Sequence, residues 1–112
     1  MTDPNLDALI AAPQHHRLAF ENETVRVLET KVMPGDTVPL HTHELSGSLY
    51  FLSWTDFIRR DANGEVMLDT AAAGVRFEPG QAVWSGPLGP HTLENVGDQP
   101  LHVIAVEIKP VN

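Results

Sequence analysis

Short apolar stretches recur along the chain, and turn-forming residues separate them. Residues 25–30 alternate two sets of side chains, while residues 49–52 and 103–106 are short runs rich in aromatic or β-branched side chains. Turn signals lie at residues 34–36, 62–64, 79–80 and 96–98. Asn63-Gly64 stands between two strand-like segments and predicts a β-hairpin with a turn of the primed type. The pattern therefore indicates many short strands.

Helix is expected at the start of the chain. Residues 6–12, which lie between two prolines, favour two turns of helix packed across a sheet. Three alanines at 71–73 have helix propensity, but Gly74 follows at once and the stretch is too short to nucleate a helix, so we expect a loop or strand edge. Nine prolines and eight glycines would be hard to place in long helices. We predict an all-β sandwich or barrel.

The composition limits the class of protein. A length of 112 residues fits one domain, and no apolar run approaches the roughly 20 residues of a membrane span. Fifteen acidic residues against seven basic ones give a formal net charge of -8, which would repel nucleic acid. Residues 1–12 lack the basic flank and apolar stretch of a signal peptide, so we expect a cytoplasmic protein. Because there is no cysteine, a metal site would have to use histidine and carboxylate ligands.

His41 and His43 are the first candidates for such a site. In a strand, alternate side chains share a face, so both imidazoles would point the same way from Cα atoms roughly 6–7 Å apart. Taken alone, the pair would more often be two surface histidines on an edge strand. His91 follows a Gly/Pro-rich segment at residues 84–90, and only a sheet that closes on itself could bring it to the same point. We predict that these three histidines bind one divalent ion.

At this spacing the residues resemble the two motifs of the cupin superfamily. The first motif places a glycine six residues before His-x-His, and the second places a glycine, a turn, a histidine and an asparagine in that order. The matching positions are Gly35, His41, His43, Gly80, His91 and Asn95. The resemblance implies a double-stranded β-helix (cupin) barrel at residues 15–112, with a short N-terminal segment at residues 1–14 outside it.

The chain departs from the first cupin motif at its glutamate. That position falls on Gly47 or Ser48, so the usual fourth ligand is missing. Glu44 directly follows His43, and strand alternation would point it away from the metal unless a bulge intervenes. Whether Glu44 coordinates is left open. The flanking residues 15–22, 25–29, 79–84, 94–97 and 106–109 look like those of small single-domain cupins named as β-alanine-degradation proteins, a likeness that indicates the fold better than the reaction.

Three neutral imidazoles leave three positions open on a six-coordinate ion, as in the three-histidine iron site of thiol and diketone dioxygenases that this set resembles. We therefore expect an oxygenase that acts on a small polar or carboxylated metabolite. Fe(II) is favoured for its chemistry, while Zn, Ni, Mn or Cu would also bind imidazole. The alternatives are a non-catalytic module that binds a metal or small ligand, and an isomerase or lyase that uses the metal as a Lewis acid.

Other side chains are candidates for supporting roles. Tyr50 could supply a catalytic phenol, since it shares strand parity with Trp54, and the alternative is a packed tyrosine at the rim. Arg26 and Arg76 could hold a substrate carboxylate or simply be exposed.

The remaining histidines and the N-terminal segment also lead to expectations. We expect His15 and His16 to be a solvated or hydrogen-bonded pair and His102 to be a core residue rather than a cavity residue. The apolar side chains of Leu6, Leu9 and Ile10 lead us to expect a homodimer.

Overall fold

The computed structural model describes residues 3–111, which form nine β-strands and three short helical segments. Strand accounts for 53% and helix for 10% of the chain. The strands are β1 (His16–Glu21), β2 (Val25–Val32), β3 (Thr37–His43), β4 (Gly47–Ser53), β5 (Phe57–Asp61), β6 (Val66–Asp69), β7 (Ala82–Ser85), β8 (Leu88–Asn95) and β9 (Leu101–Ile108). The helical segments are a 3₁₀ turn (Pro4–Leu6), α1 (Ala8–Ala11) and α2 (Thr70–Ala73). Among the described residues, no helix has the length and apolar character needed to cross a membrane.

The strands form two antiparallel sheets that pack on each other. One sheet has five strands in the order β1-β2-β9-β4-β7, and the other has four in the order β3-β8-β5-β6. Val32 and Val103 of the first sheet share a buried cluster with Val38 and Phe57 of the second. Strands far apart in sequence are therefore neighbours in space, and the predicted all-β fold is confirmed.

β9 decides which side chains of the larger sheet face the interior. It pairs with β2 on one side and with β4 on the other. Every second residue of this strand is buried, namely Leu101, Val103, Ala105 and Glu107. Because three of these four are apolar, the carboxylate of Glu107 enters the interior among hydrophobic neighbours and requires polar partners there.

The predicted hairpin joins β5 to β6, but its turn is not of the primed type. Gly64 has φ of 82°, and among the described residues no other residue type has positive φ, so Asn63 keeps ordinary backbone geometry. The Asp61 carboxylate accepts hydrogen bonds from the backbone N–H groups of Asn63 and Glu65 at 2.9 and 3.0 Å. This cap stabilises a longer turn, and the β5–β6 register shifts once beside it.

The alanines at 71–73 were expected to lie in a loop or strand edge, and that prediction is wrong. Thr70–Ala73 forms one turn of α-helix. The carboxylate of Asp69 accepts a hydrogen bond from the backbone N–H of Ala72 at 3.2 Å, and Gly74 ends the helix with φ of 68°. A side-chain cap and a left-handed glycine thus hold a helix that would be too short to form alone.

The N-terminal segment packs on the five-stranded sheet, with α1 making one turn instead of the expected two. Ala8 is fully buried against Leu28 and Ala105. Ile10 on the same helix is 61% exposed. The helix therefore packs on the sheet through Ala8 and the partly buried Leu9, while Ile10 faces outward.

Candidate metal centre

The structure brings His41, His43 and His91 together at one end of the interior. His41 and His91 are direct partners across the β3–β8 pair, and their ring centroids lie 4.3 Å apart. The ring centroid of His43 lies 5.0 Å from that of His41 and 5.7 Å from that of His91. Strand alternation places His41 and His43 on one side of β3, and the antiparallel pairing of β3 with β8 brings the ring of His91 beside them.

His16 is a fourth member of this cluster, which sequence reasoning missed. Its ring centroid lies 4.9 Å from that of His41 and 5.3 Å from that of His43. Nitrogen atoms of His16, His41 and His43 all lie within 4.8 Å of one another, close enough to share one metal ion. This set has His16 where the prediction had His91, whose ring lies beside that of His41. His16 is 5% exposed, whereas its neighbour His15 lies outside the cluster and is hydrogen-bonded through Nε2 to Asp36 at 2.7 Å.

Each of the four rings is anchored through Nδ1. Three of the anchors are backbone carbonyls and one is a carboxylate, all of which accept hydrogen bonds, so Nδ1 carries the proton and Nε2 keeps its lone pair. The Nδ1 distances are 3.0 Å from His16 to Ala12 O, 2.7 Å from His41 to Pro39 O, 2.9 Å from His43 to Glu107 Oε2, and 2.7 Å from His91 to Gly89 O. This is the tautomer and the support that metal-ligating histidines require.

Burial keeps three of these imidazoles neutral at pH 7. It lowers the pKa of His16 to about 4, the pKa of His41 to about 2 and the pKa of His91 to about 4, and the neighbouring imidazoles lower each of them further. A neutral ring is the form that binds a metal ion.

Glu107 connects the cluster to the N-terminal segment. Its Oε2 accepts from His43, and its Oε1 accepts from Arg26 Nε at 3.0 Å and Arg26 Nη2 at 2.9 Å. Arg26 in turn donates to both carboxylate oxygens of Asp7 at 2.8 and 3.1 Å. Burial by itself would raise the pKa of Glu107, but the hydrogen bond from His43 and the interactions with Arg26 outweigh it and lower the pKa. Arg26, a predicted holder of substrate carboxylate, is thus engaged by two carboxylates of the protein.

Glu107 stands directly opposite the position where the cupin pattern expects its glutamate. Gly47 is the cross-strand partner of Glu107, and a Cβ at Gly47 would lie 1.9 Å from the carbonyl oxygen of Val106. No side chain fits at residue 47, and the carboxylate comes from the neighbouring strand. An acidic residue in phase with Val103 and Ala105 was the signal in the sequence that could have identified it.

The histidines lie at one side of an interior cavity of about 90 Å³. Apolar side chains from both sheets form most of its wall, among them Leu49, Phe51, Phe57 and Val103. Arg59 also lines this cavity. The space combines a cluster of nitrogen ligands with a largely apolar wall.

Tyr50, the predicted catalytic phenol, is not brought to this cavity. It is 42% exposed and lies on the outer side of β4, while its neighbours Leu49 and Phe51 line the cavity. Trp54 is buried because it lies beyond the end of β4 and past a register shift, so strand parity with Tyr50 does not extend to it.

Three further candidates also lie away from the cluster. His102 is on the outer side of β9 and is hydrogen-bonded through Nε2 to Glu29 at 2.6 Å, so its assignment to the core is wrong. Arg76 is exposed and pairs with Glu78 at 3.2 Å. Glu44 is exposed, so the structure does not place it among the metal ligands.

Two packed antiparallel sheets, with histidines from β3 and β8 facing a shared interior, form the arrangement of the double-stranded β-helix fold. Solved structures confirm that the chain has this double-stranded β-helix fold. A cupin domain from Bordetella pertussis Tohama I has a TM-score of 0.67 and 19% identity, over 85% of this chain and 92% of that one. An RmlC-like cupin from Methanocaldococcus jannaschii has a TM-score of 0.58 and 13% identity, over 83% and 77%.

The polyketide cyclase RemF from Streptomyces resistomycificus is also similar, with a TM-score of 0.55 and 19% identity over 88% of this chain and 67% of that one. No protein-family model and no curated protein matches the chain. At these identities the likeness shows the fold alone. The resemblance to β-alanine-degradation cupins stays a prediction.

Proposed function

We propose that this chain is a metal-dependent cupin oxygenase that acts on a small carboxylated metabolite. The observation that carries the proposal is the set of four inward-facing histidines, each with Nδ1 anchored by an acceptor. Such anchoring fixes the direction of each ring and leaves Nε2 for coordination. Surface histidines have no need of it.

The donor set fits a divalent transition metal. Imidazole nitrogen suits Fe, Zn, Ni and Cu, and we propose Fe(II), held by His41 and His43 together with His91 and His16. When bound, such an ion would supply redox and Lewis-acid chemistry with its positive charge undiminished, because the four ligands are neutral. The number of ligating histidines then decides how many positions stay open, three with three ligands and two with four on a six-coordinate ion.

The rest of the site positions and shields the substrate. Glu107 orients His43 through the hydrogen bond to Nδ1 and offsets part of the local positive charge. Phe51 and Phe57 in the cavity wall keep water from the reacting groups. The cavity of about 90 Å³ admits a small molecule, since one water-sized group takes roughly 10–15 Å³ of such space.

A second candidate is a site without redox chemistry, either a binding module or a Lewis-acid isomerase or lyase. Participation of His16 beside His41, His43 and His91 would favour the binding module, because four histidines around a tetrahedral zinc leave no open position for a substrate, whereas the isomerase or lyase needs one of the four to stay unbound. The similarity in fold to a protein named as a polyketide cyclase is a further reason to test a non-oxidative reaction.

Oxygen consumption separates the two candidates. The Fe(II)-loaded protein is incubated with a panel of three- to six-carbon carboxylates in an oxygen electrode, with the Zn(II)-loaded protein as the matched control. We expect uptake that needs both iron and a carboxylate. Retained iron without uptake for any substrate, together with turnover of a substrate by the zinc form, would replace the oxygenase proposal with the Lewis-acid one.

We also propose a cytoplasmic homodimer, in which Ile10 of the N-terminal segment is covered by the second copy. The 61% exposure of Ile10 supports this proposal. A sedimentation mass of two chains is expected, and a mass of one chain at micromolar concentration would overturn it.

A further inference from the structure

Arg59 is the cationic side chain of the cavity wall. β5 alternates so that Phe57 and Arg59 face the cavity, while Arg60 faces away and pairs with Glu94 at 2.9 Å. Among the described lining residues, Arg59 is the one lysine or arginine. The same strand therefore offers one inward and one outward guanidinium.

Arg59 differs from the other arginines in having no carboxylate partner. Arg17, Arg26, Arg60 and Arg76 each contact a carboxylate of the protein. Between residues 3 and 111, by contrast, the side chain of Arg59 makes no hydrogen bond or ion pair, and its Nε is buried without a partner. Its recorded contact is with the ring of Phe57, whose centroid lies 5.5 Å from Cζ.

Arg59 as a whole is half-buried, but its Nε has lost contact with water and no hydrogen bond within the protein replaces it, which opposes folding. Burial lowers the pKa of Arg59, and a guanidinium in a protein keeps its charge. On the paired strand β8, Arg59 stands opposite Leu93, two residues from His91, and all three line the same cavity, so the guanidinium lies near the histidine cluster. An anion that enters the cavity and pairs with Arg59 would supply the partner that the protein does not.

We propose that Arg59 binds the carboxylate of a small substrate and directs the rest of that molecule toward the histidine cluster. A single planar guanidinium matches one planar carboxylate through two parallel hydrogen bonds. A phosphate dianion would keep a second charge among apolar side chains such as Phe51 and Leu93. This inference deepens the proposed function. Carboxylate binding by Arg59 does not depend on that function, whereas a reaction of the rest of the substrate at the histidine cluster does.

The test compares propionate with its neutral isostere propionamide. Each is titrated into the full chain and followed by NMR, first in protein treated with a chelator and then in zinc-loaded protein. The wild-type protein is expected to prefer propionate in both forms. Arg59→Met should weaken propionate binding about 10- to 100-fold and abolish the preference, as expected for a lost charge-assisted pair.

Arg60→Met is the matched control, because it removes the same charge from the outer side of the same strand. We expect it to bind propionate as the wild type does. Arg59→Lys keeps the charge but not the planar fork, so it should bind propionate more weakly than the wild type and more tightly than Arg59→Met. Since Arg59→Met removes a guanidinium that has no carboxylate partner and a buried Nε, its thermal midpoint should be no lower than that of the wild type.

Several outcomes would overturn the inference. One is wild-type propionate affinity in Arg59→Met, or equal losses in the Arg59 and Arg60 variants. Another is a wild-type protein that does not distinguish propionate from propionamide, and a third is inorganic phosphate that binds more tightly than propionate in an Arg59-dependent way. Failure of the wild type to bind zinc, with the preference for propionate intact, would contradict the proposed function and leave this inference standing.

Discussion

Replacement of Glu107 by glutamine removes the one charge that contacts both His43 and Arg26. The amide has one acceptor oxygen where the carboxylate has two. If that oxygen faces His43, the amide N–H groups meet the guanidinium, which has no acceptor. If the N–H groups face His43 instead, the favoured tautomer has its proton on Nε2, and that nitrogen can no longer bind a metal ion.

The expected effects follow from the contacts. The Glu107 side chain is 5% exposed, and removal of one member of a buried charged pair costs about 3–5 kcal/mol. Because Arg26 keeps its two hydrogen bonds to Asp7, we expect the lower end, about 3 kcal/mol of unfolding free energy. Loss of a carboxylate that supports a ligating histidine weakens metal binding about 10- to 100-fold.

The outer side of the same sheet provides the control. Glu29 also contacts a histidine and an arginine, His102 at 2.6 Å and Arg17 at 2.8 Å, but at the surface. Urea unfolding and competition of Zn(II) with a chromophoric chelator are measured for Glu107→Gln and Glu29→Gln. Wild-type zinc affinity in Glu107→Gln, or an equal loss in both variants, would refute the role assigned to Glu107.

Two further predictions concern stability. The metal-free protein should lose stability as pH falls from 7 to 5. The histidines of the unfolded chain take up protons near pH 6.5, whereas folding lowers the pKa of His16 and His91 to about 4 and that of His41 to about 2. The expected loss in unfolding free energy is about 2 kcal/mol for His16 alone, and urea midpoints that do not change with pH would contradict it. Gly47→Ala should lower the unfolding free energy by about 1–3 kcal/mol or more, because its Cβ would lie 1.9 Å from the backbone of β9. An unchanged thermal midpoint would contradict this, since it would mean that β9 moves aside without a loss of stability.

The sequence was sufficient for the fold and for three of the clustered histidines. Alternation placed His41 and His43 on one face, and the motif order brought His91 to them. The fold prediction is confirmed, whereas metal binding by these three histidines stays a prediction. His41 and His43 share one side of β3 although its register with β8 shifts on both sides of His41. The prediction for Tyr50 was wrong, because it extended the alternation of β4 past a register shift to Trp54.

His16, Glu107 and Arg59 depend on tertiary packing that no local rule supplies. His16 precedes the strand pattern, and its burial follows from how α1 turns the chain into β1. Glu107 was in phase with apolar neighbours, yet its role depends on the absence of a side chain at Gly47 across the strand pair. Arg59 and Arg60 are adjacent and chemically identical, so only the direction of β5 decides which of them enters the cavity.

A Co(II) titration followed by visible absorption tests most directly whether the histidine cluster holds one metal ion. The wild-type chain should bind one equivalent, and His41→Ala combined with His43→Ala should bind none. The matched double variant, His15→Ala with His102→Ala, removes two histidines outside the cluster and should bind one equivalent as the wild type does. No binding by the wild type, or one equivalent still bound after loss of His41 and His43, would contradict the account.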